Sequence, residues 1–81
     1  MHIHGIDYEF TRGSDVSSRD GMFLEVSIKG SRPLVQVAEI FYSDQSGRFF
    51  VNCFVPDVPM ELIEHLITQA KQRLPPVTPA P

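Results

Sequence analysis

Residues 22–29 read Met22-Phe23-Leu24-Glu25-Val26-Ser27-Ile28-Lys29, and the fold turns on them. Met22, Leu24, Val26 and Ile28 alternate with Phe23, Glu25, Ser27 and Lys29, an apolar row against a mixed one. Successive side chains of a strand leave on opposite faces, so this alternation predicts a strand with one face on a core. Gly30-Ser31-Arg32-Pro33 then reads as a turn, because glycine admits a positive φ and proline ends a ladder.

On the C-terminal side, residues 34–42 carry two largely apolar rows, Leu34, Gln36, Ala38, Ile40, Tyr42 and Val35, Val37, Glu39, Phe41. That suits an interior strand covered on both faces. Ser43-Asp44-Gln45-Ser46-Gly47 reads as a hairpin loop with Gly47 in the left-handed position. Residues 48–55 form another strand, with Phe49, Val51, Cys53 and Val55 on one face and Phe50, Asn52 and Phe54 on the other. Pro56-Asp57-Val58-Pro59 opens a helix; Pro59 fits the first helical position, and Asp57 or Val58 precedes it as the cap. Ile63, Leu66, Ile67, Ala70 and Leu74 recur at helical spacing up to Pro75-Pro76.

On the N-terminal side, residues 2–10 alternate as one strand, with Ile6, Tyr8 and Phe10 in a row that His2 and His4 extend. Residues 11–21 are polar and rich in Gly, Ser and Asp, and read as a long loop. The expected fold is α+β: a four-stranded antiparallel sheet in the order β-β-β-β-α, with the helix on one face. Residues 1–74 make one domain and residues 75–81, with four prolines, a disordered tail.

Size and charge narrow the functions. With 81 residues the chain has room for one thin core. Its formal net charge of -3 is opposite to that of most nucleic-acid binders, so nucleic acid is disfavoured as a partner. A single cysteine forbids an internal disulfide. The start, Met1 to Asp7, lacks a basic segment and an apolar segment, and no apolar run approaches the ~20 residues of a membrane helix. A cytoplasmic protein with no membrane contact is expected.

No residue set demands chemistry, so no enzyme, cofactor or metal is expected. His2 and His4 share a strand face but lack further ligands. Cys53, in an apolar row, reads as an inert core thiol. Asp7 and Glu9 read as a solvated acidic face. The informative feature is the second face of the sheet. One helix covers one face, with Leu24, Val26, Ile28, Phe49, Val51, Cys53 and Val55 against its apolar stripe. The other face carries Phe23, Phe50 and Phe54, with Val35 and with Val37 or Phe41 according to register. A patch of that kind marks an interface more often than a bare surface. The expectation is a small protein-binding module of the inhibitor, immunity or adaptor type, acting through Phe23, Val35, Val37, Phe50 and Phe54, or a homodimer. The alternative within the chain is that the first strand or the 11–21 loop folds over the rings. A second function class is single-stranded nucleic-acid binding by stacking on the aromatics. The element order resembles that of the single-stranded-DNA-binding transcriptional coactivators, although only Lys29, Arg32 and Arg48 offer cations near the sheet's turns.

Overall fold

Two residues with positive φ, His4 (49°) and Gly5 (82°), fold the first segment back on itself. This is the pattern of a two-residue hairpin turn whose twist suits the strands it joins. The computed structural model, which describes residues 1–15 and 19–76, therefore has five strands where four are expected from the sequence. They are β1 (His2–Ile3), β2 (Ile6–Asp15), β3 (Gly21–Ile28), β4 (Gln36–Ser43) and β5 (Phe49–Cys53), followed by α1 (Met60–Arg73). All neighbours are antiparallel and the sheet order is the chain order, β1-β2-β3-β4-β5. The architecture is α+β.

β2 extends into the segment expected to be a loop. Thr11 to Asp15 pair with Glu25 back to Gly21 even though none of them is apolar. A neighbouring strand that is well anchored holds polar residues in the ladder, which is context overriding propensity. Of the remaining loop residues, 16–18 lie outside the described part of the chain, as do 77–81 of the expected tail. At the other end, Gly47 takes the expected left-handed turn (φ 68°), and its N–H donates to Ser43 O at 2.8 Å.

The register assigns the faces. Opposite one another on one side are Tyr8 and Ile28, Phe10 and Val26, then Val26 and Ala38, Leu24 and Ile40. α1 lies on this side, across β3 and β4. Its buried stripe is Leu62, Leu66 and Ala70, continued by Leu74 just beyond it. Ile63 and Ile67, expected in the stripe with Leu66, Ala70 and Leu74, flank it and are only partly buried, while Leu62, not among the expected residues, is fully buried. Each Leu or Val fully enclosed here, such as Leu24, Leu62 and Leu66, is worth about 1.5–3 kcal/mol relative to exposure.

The helix starts one residue later than Pro59 suggests. Pro59 itself is the N-cap and offers no side-chain acceptor, while Asp57, with φ 56°, stands in a left-handed kink before it. A β-bulge between β3 and β4 changes the phase at Val37: Val26 pairs with Ala38, but Ser27 pairs with Gln36. Val37 thereby turns into the core and is 3 % exposed, so it does not join the open face.

Candidate interaction surface

A helix is about 10–12 Å wide and strands lie about 4.8 Å apart, so one helix roofs roughly two strands. Centred on β3 and β4, α1 leaves β5 largely uncovered. All five residues of β5 are exposed. Phe49, Val51 and Cys53 do face the helix side as expected, but they are not core: Phe49 is 37 % and Val51 50 % exposed, and the Cys53 thiol is exposed. Between β5 and α1 runs an apolar groove of about 150 Å³, lined by Ile40, Phe49, Val51, Ile67, Ala70 and the stem of Lys71. On the other side of the same strand, Phe50 and Phe54 are 49 % and 52 % exposed. Leu34 and Val35, exposed in the segment before β4, add further apolar surface.

β5 also has an open backbone edge. Ser43 N–H donates to Arg48 O (3.0 Å) and Phe54 N–H donates to Val37 O (2.8 Å). Backbone groups of an antiparallel strand alternate between its two neighbours. Arg48, Phe50, Asn52 and Phe54 therefore address β4, and Phe49, Val51 and Cys53 direct their N–H and C=O groups outward, where no strand follows among the described residues.

The rest of the open face is differently furnished. Phe23 lies over Gly13, its cross-strand partner: a Cβ on Gly13 would stand 2.5 Å from the ring Cζ. Phe41 lies over Gly21 in the same way and is 5 % exposed. Glycine leaves a gap on a pleated surface, and a neighbouring ring closes it. Arg19, from the connection between β2 and β3, completes this cover. Its guanidinium carbon sits 4.1 Å from the Phe41 ring centre, and Nη1 and Nη2 donate to the two carboxylate oxygens of Glu39, each at 3.1 Å. Its Nε donates to Asp15 Oδ2 at 3.1 Å. A fork-on-fork pair of this kind is geometrically demanding and strong among surface pairs. Asn52 Nδ2 also donates to Glu39 (3.3 Å), and Gln36 Nε2 to Glu25 (3.1 Å). Glu25 and Glu39 are direct cross-strand partners. Partial burial, and secondarily the charge of Glu39, pushes the Glu25 carboxyl above its ordinary range.

Of the five residues expected to form one binding patch, the structure exposes three together with their surroundings (Val35, Phe50, Phe54), half-buries Phe23 on Gly13 and encloses Val37. No described part of the first strand or of the 11–21 segment covers Phe50 or Phe54; Phe23 rests on Gly13 of the neighbouring strand and stays partly exposed, and Arg19 of that segment covers Phe41 instead. Phe49, Val51 and Cys53 are exposed residues that sequence reasoning assigned to the core. Only the width of a helix relative to a five-stranded sheet could have revealed them.

Other candidate groups are engaged locally. His2 Nδ1 hydrogen-bonds Asp7 Oδ1 across the first hairpin, and that bond is the main reason the Asp7 carboxyl lies below its ordinary range. His4 Nε2 is 3.4 Å from Glu61 Oε1. Among the described residues no cluster of three or more His, Cys, Asp or Glu side chains could hold a metal ion. A wider, open cleft of about 370 Å³ lies at the C-terminal end of α1; there Arg12 Nη1 donates to Arg73 O at 3.2 Å, tying β2 to the helix end. No described helix is long and apolar enough to cross a membrane. Comparison with protein-family models, curated proteins and solved structures gives no match for this chain.

Proposed function

We propose that this chain is a small, non-catalytic protein-binding module whose contact element is β5. The observation that carries this reading is the coincidence, on one strand, of apolar side chains exposed on both faces with a row of outward backbone donors and acceptors. An exposed apolar edge of that kind is a template for strand addition, in which main-chain bonds supply affinity and alternate side chains supply selectivity. Single-stranded nucleic acid is the less favoured ligand, because Glu25 and Glu39 share the open face with Phe50 and Phe54. The cytoplasm, where a single free thiol persists, suits such a module.

The test compares the wild-type chain with Val51→Pro. Val51 N–H points away from β4, so proline there removes an edge donor without opening the internal ladder. Light scattering reports self-association, and affinity capture from the native host reports foreign partners. The reading requires at least one of these from the wild-type chain and its loss in the variant. Association that survives Val51→Pro unchanged, or none of either kind, overturns it.

A further inference from the structure

We propose that the partner is a second copy of this chain, with the two β5 strands paired antiparallel about a two-fold axis through Asn52. This rests on the assignment of β5 as the contact element and specifies its occupant.

Four features select a second copy. The first is charge. Residues 49–55 carry none, Arg48 stands before them and Asp57 after them, and both are exposed. Antiparallel alignment of two copies sets Arg48 of each beside the Asp57 end of the other; parallel alignment would set like against like.

The second is side-chain matching. With the axis at Asn52, Val51 lies opposite Cys53 of the second copy as a hydrogen-bonded pair, so the outward groups of Val51 and Cys53 are satisfied reciprocally. On the open face Phe50 meets Phe54 of the second copy twice over, and aromatic cross-strand pairs are among the better ones. Asn52 meets its own mate. One of its amide hydrogens is used on Glu39, and its carbonyl oxygen and other hydrogen suit an amide–amide contact. A lone polar residue at a symmetry axis fixes register, as it does in coiled coils. Shifting the axis to Val51 would set Phe50 against Asn52 and forfeit both ring pairs.

The third is area. Phe49, Phe50, Val51 and Phe54 expose on the order of 350 Å² per copy at their fractions of 37, 49, 50 and 52 %. Two copies together present about 700 Å² of this surface, to which the backbone edges and Cys53 add, the scale of a weak, concentration-dependent pair below the roughly 1,200–2,000 Å² of stable interfaces. The fourth is closure. The opposite edge of the sheet bears β1 and a polar stretch of β2, so pairing through β5 ends at two copies and does not propagate.

The experiment uses light scattering across a dilution series together with disulfide trapping. The wild-type chain is expected at twice its monomer mass at the concentrated end. Val51→Pro is expected to weaken the pair at least about tenfold, since symmetry removes a bond from each copy. In a Cys53→Ser background, Asn52→Cys is expected to crosslink on mild oxidation, because non-hydrogen-bonded partners bring Cα atoms to about 4.5 Å. Ser46→Cys in that background, outside the paired strands, is expected to stay uncrosslinked under the same oxidation. If Val51→Pro does not fold, Phe54→Ser, which alters only an exposed ring, replaces it. A wild-type monomer at every concentration overturns the two-fold pair; if a foreign chain is still captured through β5, the binding-module reading stands alone. A dimer that neither variant weakens and Asn52→Cys does not trap uses another surface, and overturns both.

Discussion

The two outer edges of the sheet are finished in opposite ways. On the β2 side, Tyr8, Phe10, Arg12 and Ser14 face outward by the same alternation that governs β5. There the chain folds its own start against the edge: Tyr8 N–H donates to Met1 O (2.7 Å) and the terminal amine donates to Tyr8 O (3.0 Å). Phe10 tilts onto His65 at 5.2 Å, and Arg12 reaches the end of α1. Beyond that point the edge is Thr11-Arg12-Gly13-Ser14, which offers a foreign strand little to bury. On the β5 side, among the described residues, no further segment folds against the edge, residues 49–55 carry no charge, and every residue of the strand is exposed. The rings repeat the contrast: Phe23 and Phe41 lie on glycines, with Arg19 stacked on Phe41, whereas Phe50 and Phe54 have neither beneath or above them. One edge of the sheet is blunted and the other is left apolar, and the proposed contact at β5 rests on that asymmetry.

That contrast predicts an ordering of mutational effects. The largest falls at Gly21→Ala, where a Cβ would collide with the Tyr42 carbonyl oxygen, a backbone atom that cannot swing aside, as well as with the Phe41 ring. A loss of about 3 kcal/mol or more is expected in urea unfolding, enough to threaten a domain of this size. Arg19→Ala comes next: it strips the charged partner from Glu39, which is 8 % exposed and keeps only the Asn52 amide, and should cost about 2 kcal/mol in the same measurement. Gly13→Ala is milder, about 1 kcal/mol, because the Phe23 ring can rotate away. On the β5 side, Phe50→Ser and Phe54→Ser should leave the stability of the isolated chain within about 0.5 kcal/mol while removing association. If these two destabilise the isolated chain as strongly as Arg19→Ala, the edges are not different in kind and the contrast fails.

The smallest effect concerns pH. Glu25 has its carboxyl raised in the folded chain, so its ionised form works against folding. The disadvantage is absent below the ordinary carboxylate range and grows as pH rises through the raised value. Glu25→Gln keeps an acceptor for Gln36. It should therefore stabilise the chain by a few tenths of a kcal/mol at neutral pH, with the gain vanishing on acidification. Thermal melts at neutral and acidic pH check this.

Strands β3, β4 and β5 and the helix were legible because each carries its own period and its own turn residues. The first turn was not, because the row of Ile6, Tyr8 and Phe10 runs back through His4 and His2; the apolar spacing in fact breaks phase there, Ile3 and Ile6 standing three apart on either side of His4-Gly5. The C-terminal half of β2 has no apolar signal at all; it is a strand because Met22 to Glu25 hold it. The phase change at Val37 and the reach of Arg19 to Glu39 are long-range facts that no local window contains. The face of every β5 residue was readable, but its exposure was not. Exposure depends on where one helix settles across five strands, and that is decided by the Leu62, Leu66, Ala70 stripe meeting Leu24 and Ile40.

The exposed thiol of Cys53 projects from the helix side of β5, on a residue whose backbone lies along the open edge, and has no cysteine competitor anywhere in the sequence. A thiol-specific chromophore or a fluorine tag can therefore be attached to the native chain at one defined spot without any substitution. The rate at which that label attaches would then serve as a ruler: quick when the border strand is bare, slow when another strand shields it. Occupancy can be followed in real time, at concentrations too low for mass measurement.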